Sequence, residues 1–145
     1  MSQSQAVVSG FYIQKNEKFG EIMNIMYDSL TGNVARFIKK IPIEATQITP
    51  EMVIEEPFVL VTYTTGLGVV PAVTKEFLKK NHPNLIAIAS SGNKNFGEYF
   101  AVSADLISAE YNVPIVLKFE LSGTPTDAQK FMKGLDEIEA HRTKQ

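Results

Sequence analysis

Between positions 28 and 33 the chain reads Asp28-Ser29-Leu30-Thr31-Gly32-Asn33. Hydroxyls, a glycine and a side-chain amide in so short a span can hold one anion. Small residues let a phosphate come close to backbone N–H groups, and the start of a helix leaves such groups unpaired at the positive end of its dipole. Asn33 or Thr31 capping a helix is the plainer explanation of the same residues. The segment has no lysine of the kind that a triphosphate loop requires, and it lacks the G-x-G-x-x-G spacing of dinucleotide sites. A monophosphate held by backbone and hydroxyl groups fits it better than ATP or NAD.

Two further loops have related compositions. Thr64-Thr65-Gly66-Leu67-Gly68 and Ser91-Gly92-Asn93-Lys94-Asn95-Phe96-Gly97 combine hydroxyls, side-chain amides and glycines. As two walls of a flat slot, their backbone groups can bond the polar edge of a planar ring, and Phe96 or Tyr63 can contact its face. Phe96 has an equally good second role, as a loop anchor turned into the core. Other chemistries are poorly served. The chain has no cysteine, which excludes disulfides, Cys-based metal or cluster sites and thiol catalysis. Of its histidines, His82 stands beside Pro83 in a helix-ending turn and His141 in a polar tail. That placement disfavours a Ser-His-acid triad and a histidine metal site. Ser29, Ser91 and Thr65 carry no mark of a nucleophile. The expected site therefore binds, with no catalytic residue and no metal ligand of its own.

These loops need strands and helices to hold them, and the apolar pattern supplies both. Residues 22–27 form a short apolar run of the kind a buried parallel strand shows. Val34, Phe37, Ile38 and Ile41 then recur as on one helix face, until Pro42. Residues 58–63 are the strongest strand signal in the chain. Pro71 opens a helix with Val73, Phe77 and Leu78 on one side, ended by Asn81-His82-Pro83-Asn84. Residues 85–89 read as a third strand, and 98–111 as a helix with Ala101, Ala104, Leu106, Ile107 and Tyr111 facing the core. The last strand spans 113–119 with Pro114 near its start, and a closing helix spans 126–139 with Phe131, Leu135 and Ile138 on one face. Residues 43–54 are ambiguous, with Ile43 and Ile48 suited to a short edge strand.

Strand and helix alternate along the whole chain, the signature of an open, mostly parallel sheet covered on both faces. In such a sheet ligands bind beyond the carboxyl ends of the strands. The loops 28–33, 64–70, 90–97 and 120–124 all fall there. One domain is expected over 22–145, preceded by a polar extension, 1–21, whose Phe11-Tyr12-Ile13 cluster either frays or packs on the domain.

Length and composition agree. The 145 residues, 44% hydrophobic and 21% charged, suit one globular domain. Fourteen basic against sixteen acidic residues give a formal charge of −2, with no basic footprint for nucleic acid. No stretch approaches the ~20 apolar residues needed to cross a bilayer, and the first twenty residues do not read as a secretion signal. A cytoplasmic protein is the expectation. Lys39-Lys40, Lys79-Lys80, the run 141–144 and Glu55-Glu56 read as solvated surface.

Four segments together resemble a known family. They are Tyr27-Asp28-Ser29 through Asn33-Val34, the run Pro57 to Thr65, the run Ala89 to Gly97, and Lys118-Phe119-Glu120-Leu121-Ser122-Gly123-Thr124. In this order, each at a strand end, they resemble the NrdI family, flavodoxin-like flavoproteins that partner class Ib ribonucleotide reductase. The likeness covers roughly residues 23–140. It implies a three-layer α/β sandwich with a five-stranded parallel sheet in the order 2-1-3-4-5. It implies FMN, its phosphate on Ser29, Leu30, Thr31, Gly32 and Asn33 with Val34 capping. The ring would lie between Tyr63 to Gly68 (Tyr63, Thr64, Thr65, Gly66, Leu67, Gly68) and the loop carrying Ser91, Gly92, Asn93, Phe96 and Gly97. Leu121, Ser122 and Gly123 would close the site. Members vary in glycine content near position 66; here there are two glycines, Gly66 and Gly68.

The resemblance also implies a role. Reduced FMN would react with dioxygen and deliver a superoxide-type oxidant to the radical-bearing small subunit NrdF, with electrons from a flavin reductant of unknown identity. A general flavodoxin-type one-electron carrier is the alternative on the same site; the mild charge of −2 argues against it, since flavodoxins tend to be strongly acidic. A flavin-free module that binds phosphorylated ligands or proteins is a third reading.

Overall fold

The computed structural model describes residues 14–16, 20–22 and 24–143, and the side chains of 24–142. The N-terminal Phe11-Tyr12-Ile13 cluster lies outside the described residues. Two short strands, β1 (Gln14–Asn16) and β2 (Gly20–Ile22), pair antiparallel as a separate two-stranded sheet. The chain then alternates strand and helix. Its elements are β3 (Asn24–Tyr27), α1 (Asn33–Ile38), β4 (Ala45–Gln47), β5 (Phe58–Tyr63), α2 (Ala72–Asn81), β6 (Leu85–Gly92), α3 (Val102–Tyr111), β7 (Ile115–Glu120) and α4 (Pro125–Thr143).

Strands β3 to β7 form one all-parallel sheet in the order β4-β3-β5-β6-β7, which is 2-1-3-4-5 counted within that sheet. Alternation along each strand divides the core in two. Ile25, Val59, Val61, Ala87 and Ala89 face α1 and α4, where they meet Val34, Phe37, Phe131 and Leu135. Met26, Phe58, Leu60 and Ile88 face α2 and α3, where they meet Phe77, Leu78, Ala104 and Ile107. This is the three-layer arrangement that the apolar pattern implied.

The last strand runs from Ile115 to Glu120, leaving Pro114 just before it, and the closing helix from Pro125 to Thr143, where 113–119 and 126–139 were expected. Four further boundaries differ from the sequence reading, each for a physical reason. The first strand of the large sheet begins at Asn24, opposite Phe58, while Ile22 pairs with Gln14 in the small hairpin. The third long strand continues through Ser90, Ser91 and Gly92. Their weak strand propensity is overridden because β5 and β7 flank them on both sides. The helix expected from residue 98 starts only at Val102. Residues Lys94–Tyr99 make a tight 3₁₀ turn broken at Gly97 (φ 56°, ψ −119°), and Ala101 is left-handed at φ 49°. Helix α1 ends at Ile38, yet two 3₁₀-type bonds, Lys40 N–H to Phe37 O and Ile41 N–H to Ile38 O, carry Ile41 into the core. Leu106, expected in the core, is exposed. In the ambiguous stretch, Ala45–Gln47 is the edge strand and Ile48 is buried.

Helix α1 has six residues, too few to be stable alone. Phe37 holds it down. Its ring stacks on Phe119 with centroids 4.0 Å apart and meets Phe131 edge-on at 5.6 Å. The same ring lies against Gly123, where a Cβ would come within 2.7 Å of it. One buried side chain thus supports both the 29–33 loop and the 121–123 loop. Phe37→Ala is expected to cost about 3–5 kcal/mol, the range for deleting a buried aromatic. Urea unfolding followed by circular dichroism measures it, and a loss under about 1 kcal/mol contradicts this packing role.

Candidate functional site

The carboxyl ends of β3, β5, β6 and β7 lie along one edge of the sheet, and their loops enclose a cavity of about 270 Å³. Its lining brings together most of the residues singled out in the sequence. Ser29, Leu30, Thr31, Asn33 and Val34 come from the first loop, Tyr63, Thr64, Thr65 and Gly66 from the second, Ser91, Gly92, Asn93 and Phe96 from the third, and Leu121 from the fourth. Tyr99 also lines it and was missed. Its only signal was an aromatic residue two positions beyond Gly97 in the same glycine-bearing segment.

Gly32, Leu67, Gly68, Gly97, Ser122 and Gly123 stand outside the lining and shape it instead. Gly32 precedes α1 at φ 97°, a conformation that favours glycine, and as the residue at the cap position it has no side chain to close the helix. Neither Thr31 nor Asn33 does so. Ser29 reaches forward, its Oγ accepting the Ala35 amide at 3.2 Å. The amides of Thr31, Gly32, Asn33 and Val34 have no acceptor among the described residues. The loop therefore offers successive unpaired donors around a glycine, the arrangement that suits an anion.

In the second loop, Thr65 and Val69 exchange backbone hydrogen bonds of 2.9 and 2.8 Å. They pinch Gly66-Leu67-Gly68 into a tight protruding tip. Gly68 sits against Tyr99, so the second and third loops touch. Thr64 Oγ1 accepts the Ser103 amide at 3.1 Å, tying the second loop to the start of α3. The third loop is tied to the fourth. Ser91 Oγ donates to Leu121 O at 2.6 Å, and the Leu121 amide donates to Gly92 O at 2.9 Å. These bonds hold Leu121 at φ 52°, a strained value for leucine. Its side chain remains 45% exposed at the cavity. Phe96, 46% exposed, is a cavity wall and not a core anchor.

Beneath the cavity lies a buried polar chain. Thr74 Oγ1 donates to Asp28 Oδ2 at 2.6 Å, and Thr62 and Thr74 share a hydroxyl contact of 2.7 Å. Burial pushes the Asp28 carboxyl above its ordinary value, against the opposing pull of hydrogen bonds from the Thr74 hydroxyl and from the Thr74 and Ser29 amides. Burial, and then the Asp28 charge, push the Tyr63 phenol up. A second feature missed in the sequence is Arg36, which bonds Ser122 and Asn33 and so joins the fourth loop to the first. Its placement four residues beyond Gly32, on the first helical turn, was the available signal.

A five-stranded parallel sheet in this order, with four polar loops around one cavity at its carboxyl edge, defines a flavodoxin-like protein. Solved structures share the fold. A short-chain flavodoxin associated with a bacterial microcompartment superposes with a TM-score of 0.62 at 17% identity, over 81% of this chain and 96% of that one. Oxidised flavodoxin 1 from Bacillus cereus gives 0.56 at 19% identity, over 81% and 96%. The family model for NrdI flavodoxin-like proteins matches residues 25–133, and the chain belongs to that family. Protein NrdI of Bacillus licheniformis is 47% identical over 118 residues, 81% of this chain and 90% of the relative. The SPbeta prophage-derived protein NrdI of Bacillus subtilis is 42% identical over 122 residues, 81% and 95%. Among the described residues, no helix is long and apolar enough to cross a membrane.

The buried acid makes a pH prediction. Asp28 has a folded-state pKa above its unfolded value, so its protonated form favours the folded state. That contribution is complete below the ordinary carboxylate value and is lost as pH rises through the raised one. Asp28→Asn keeps an acceptor for Thr74 and removes the titration. The urea midpoint of the variant relative to the parent is expected to rise between about pH 4 and pH 8. A difference that does not change with pH contradicts the assignment.

Proposed function

We propose that this chain is an FMN-binding redox protein that activates the small subunit, NrdF, of class Ib ribonucleotide reductase. The observation that carries the reading is the pairing of family membership with a cavity whose walls suit the two halves of FMN. The unpaired amides around Gly32, with Ser29 and Thr31, suit a phosphate monoester. Tyr63, Phe96, Tyr99 and Leu121 line the cavity with apolar and aromatic surface that would cover a ring, and the backbone of Thr64 to Gly66 and of Ser91 to Asn93 would hold its polar edge. When bound, FMN supplies electron transfer and, once reduced, the reaction with dioxygen that yields a superoxide-type oxidant.

The chain's own part is to bind, orient and present the cofactor. Leu67, Gly68, Gly97, Ser122 and Gly123 act from behind the walls. We assign the binding domain to 22–145, with 1–21 as an extension of unassigned role, and place the protein in the cytoplasm. The site is open to a protein partner. The loops around it carry Leu30 at 76% exposure, Leu67 at 66%, and the exposed Val69, Phe96, Tyr99 and Leu121. Apolar side chains gathered around one opening are the usual mark of a docking surface. Reduction requires an electron donor, and NrdF is the partner that the family implies.

Titration of the purified protein with FMN tests the cofactor. The expected result is quenching of flavin fluorescence with micromolar or tighter affinity. Gly32→Val forces a branched residue to φ 97° and presses its side chain on the Arg36 guanidinium, distorting the loop that carries the free amides, and is expected to weaken FMN by more than about tenfold. Unchanged affinity removes the phosphate role of this loop. Co-purification with NrdF, and NrdF radical formation dependent on this protein, separates the activating role from that of a general one-electron carrier, which does neither.

A further inference from the structure

The described ion pairs are Lys79–Glu76, Lys118–Asp105 and Arg142–Glu139. Arg36 has no carboxylate partner among the described residues. Its guanidinium is nonetheless fixed. Nε donates to Ser122 Oγ at 2.9 Å and Nη2 donates to Asn33 Oδ1 at 2.8 Å, while Ser122 Oγ donates to the same Asn33 oxygen at 2.8 Å. Two of its three nitrogens are thus anchored on neutral oxygens, one from each of two site loops. The third, Nη1, has no acceptor among the described residues and lies 2.6 Å from the point where a Cβ on Gly32 would stand. Lys40 adds a second charge without a carboxylate, its Nζ donating to Ser122 O at 3.1 Å. Two cations thus converge on Ser122, and neither is paired with an acid among the described residues.

A purely structural tie needs no charge, and an arginine used only as a tie is most strongly held by a carboxylate. Neutral anchors leave the positive charge uncancelled, and the free Nη1 stands beside Gly32, in the loop whose amides are unpaired. We propose that Arg36, backed by Lys40, is the residue through which the site distinguishes a flavin bearing a phosphate from the same flavin without one. Arg36 brings charge and a free N–H to the phosphate. Asn33 and Ser122 act as positioning residues that fix the guanidinium plane, and position 32 must be glycine partly because any side chain there evicts it. The inference rests on the flavin reading above and adds the source of its selectivity.

The experiment titrates wild type, Arg36→Gln and Arg36→Lys with FMN and with riboflavin, each at low and at high sodium chloride. Arg36→Gln is expected to weaken FMN about tenfold at low salt and to leave riboflavin within about twofold. Because exposed charges are screened by salt, wild-type FMN affinity is expected to fall as salt rises, and the Arg36→Gln dependence to be flatter. Arg36→Lys is expected to keep part of the FMN preference. Equal losses for FMN and riboflavin would mean that Arg36 merely holds the loops, and would overturn the proposal. Unchanged FMN affinity in Arg36→Gln also overturns it. Where wild type holds riboflavin too weakly to measure, the salt series decides alone. Wild type that binds neither flavin overturns the flavin reading itself, and this inference with it; FMN binding that is indifferent to Arg36 overturns only the inference.

Discussion

Parallel pairing of neighbouring strands is the constraint on which the site depends. Parallel strands run in one direction, so their carboxyl ends share an edge, and the hydrogen-bond register sets how far each strand projects before its loop begins. Tyr27 pairs with Val61, Tyr63 with Ser91 and Gly92 with Glu120. The β5 strand therefore ends beyond β3 and β6 beyond β5, while β7 ends level with β6, giving a rim that steps up from the first loop. The first loop starts lowest, which leaves room for Ser29 to Asn33 under the walls formed by the second and third. A slip of one residue in β6 would turn Ser91 from Leu121 towards the opposite face and break the tie between the third and fourth loops.

Much of this was legible in the sequence. The run Phe58 to Tyr63 and the periodic spacing of Val34, Phe37 and Ile41 report burial, and burial is what an apolar pattern encodes. The loops were legible because glycines and hydroxyls cluster at strand ends more than turns require. Ser90, Ser91 and Gly92 were misread as loop because their place in the sheet comes from two neighbours distant in sequence, and local propensity holds no trace of them. Ala101 was misread as helical because its left-handed backbone is imposed by packing against Gly92. Arg36 and Lys40 look like any solvated cations on a short helix. What sets them apart is the return of the chain at Ser122, more than eighty residues later, which gives both a shared partner.

Charge is arranged in opposition across the first loop. Asp28 is buried and bonded to Thr74, while Arg36 and Lys40 are exposed and bonded to neutral oxygens. An acid adjacent to an anion site works against the anion. Burial that favours the neutral carboxyl reduces this opposition, and the hydroxyl and amide donors around Asp28 limit how far that goes. The same residue joins β3 to α2 through Thr74, so it also fastens the base of the first loop to the helix that follows the second.

The close approach of Gly92 to Ala101 has a consequence for how this protein can change over time. A Cβ on Gly92 would lie 2.3 Å from the Ala101 nitrogen, so the two ends of the Lys94–Tyr99 turn are brought together at one point. A segment whose feet meet behaves as an Ω-like excursion: residues can be added at its crest without stretching the sheet or moving α3. Phe96 rides on that crest. Lineages can therefore resize this wall while the sheet and the other three loops are inherited unchanged.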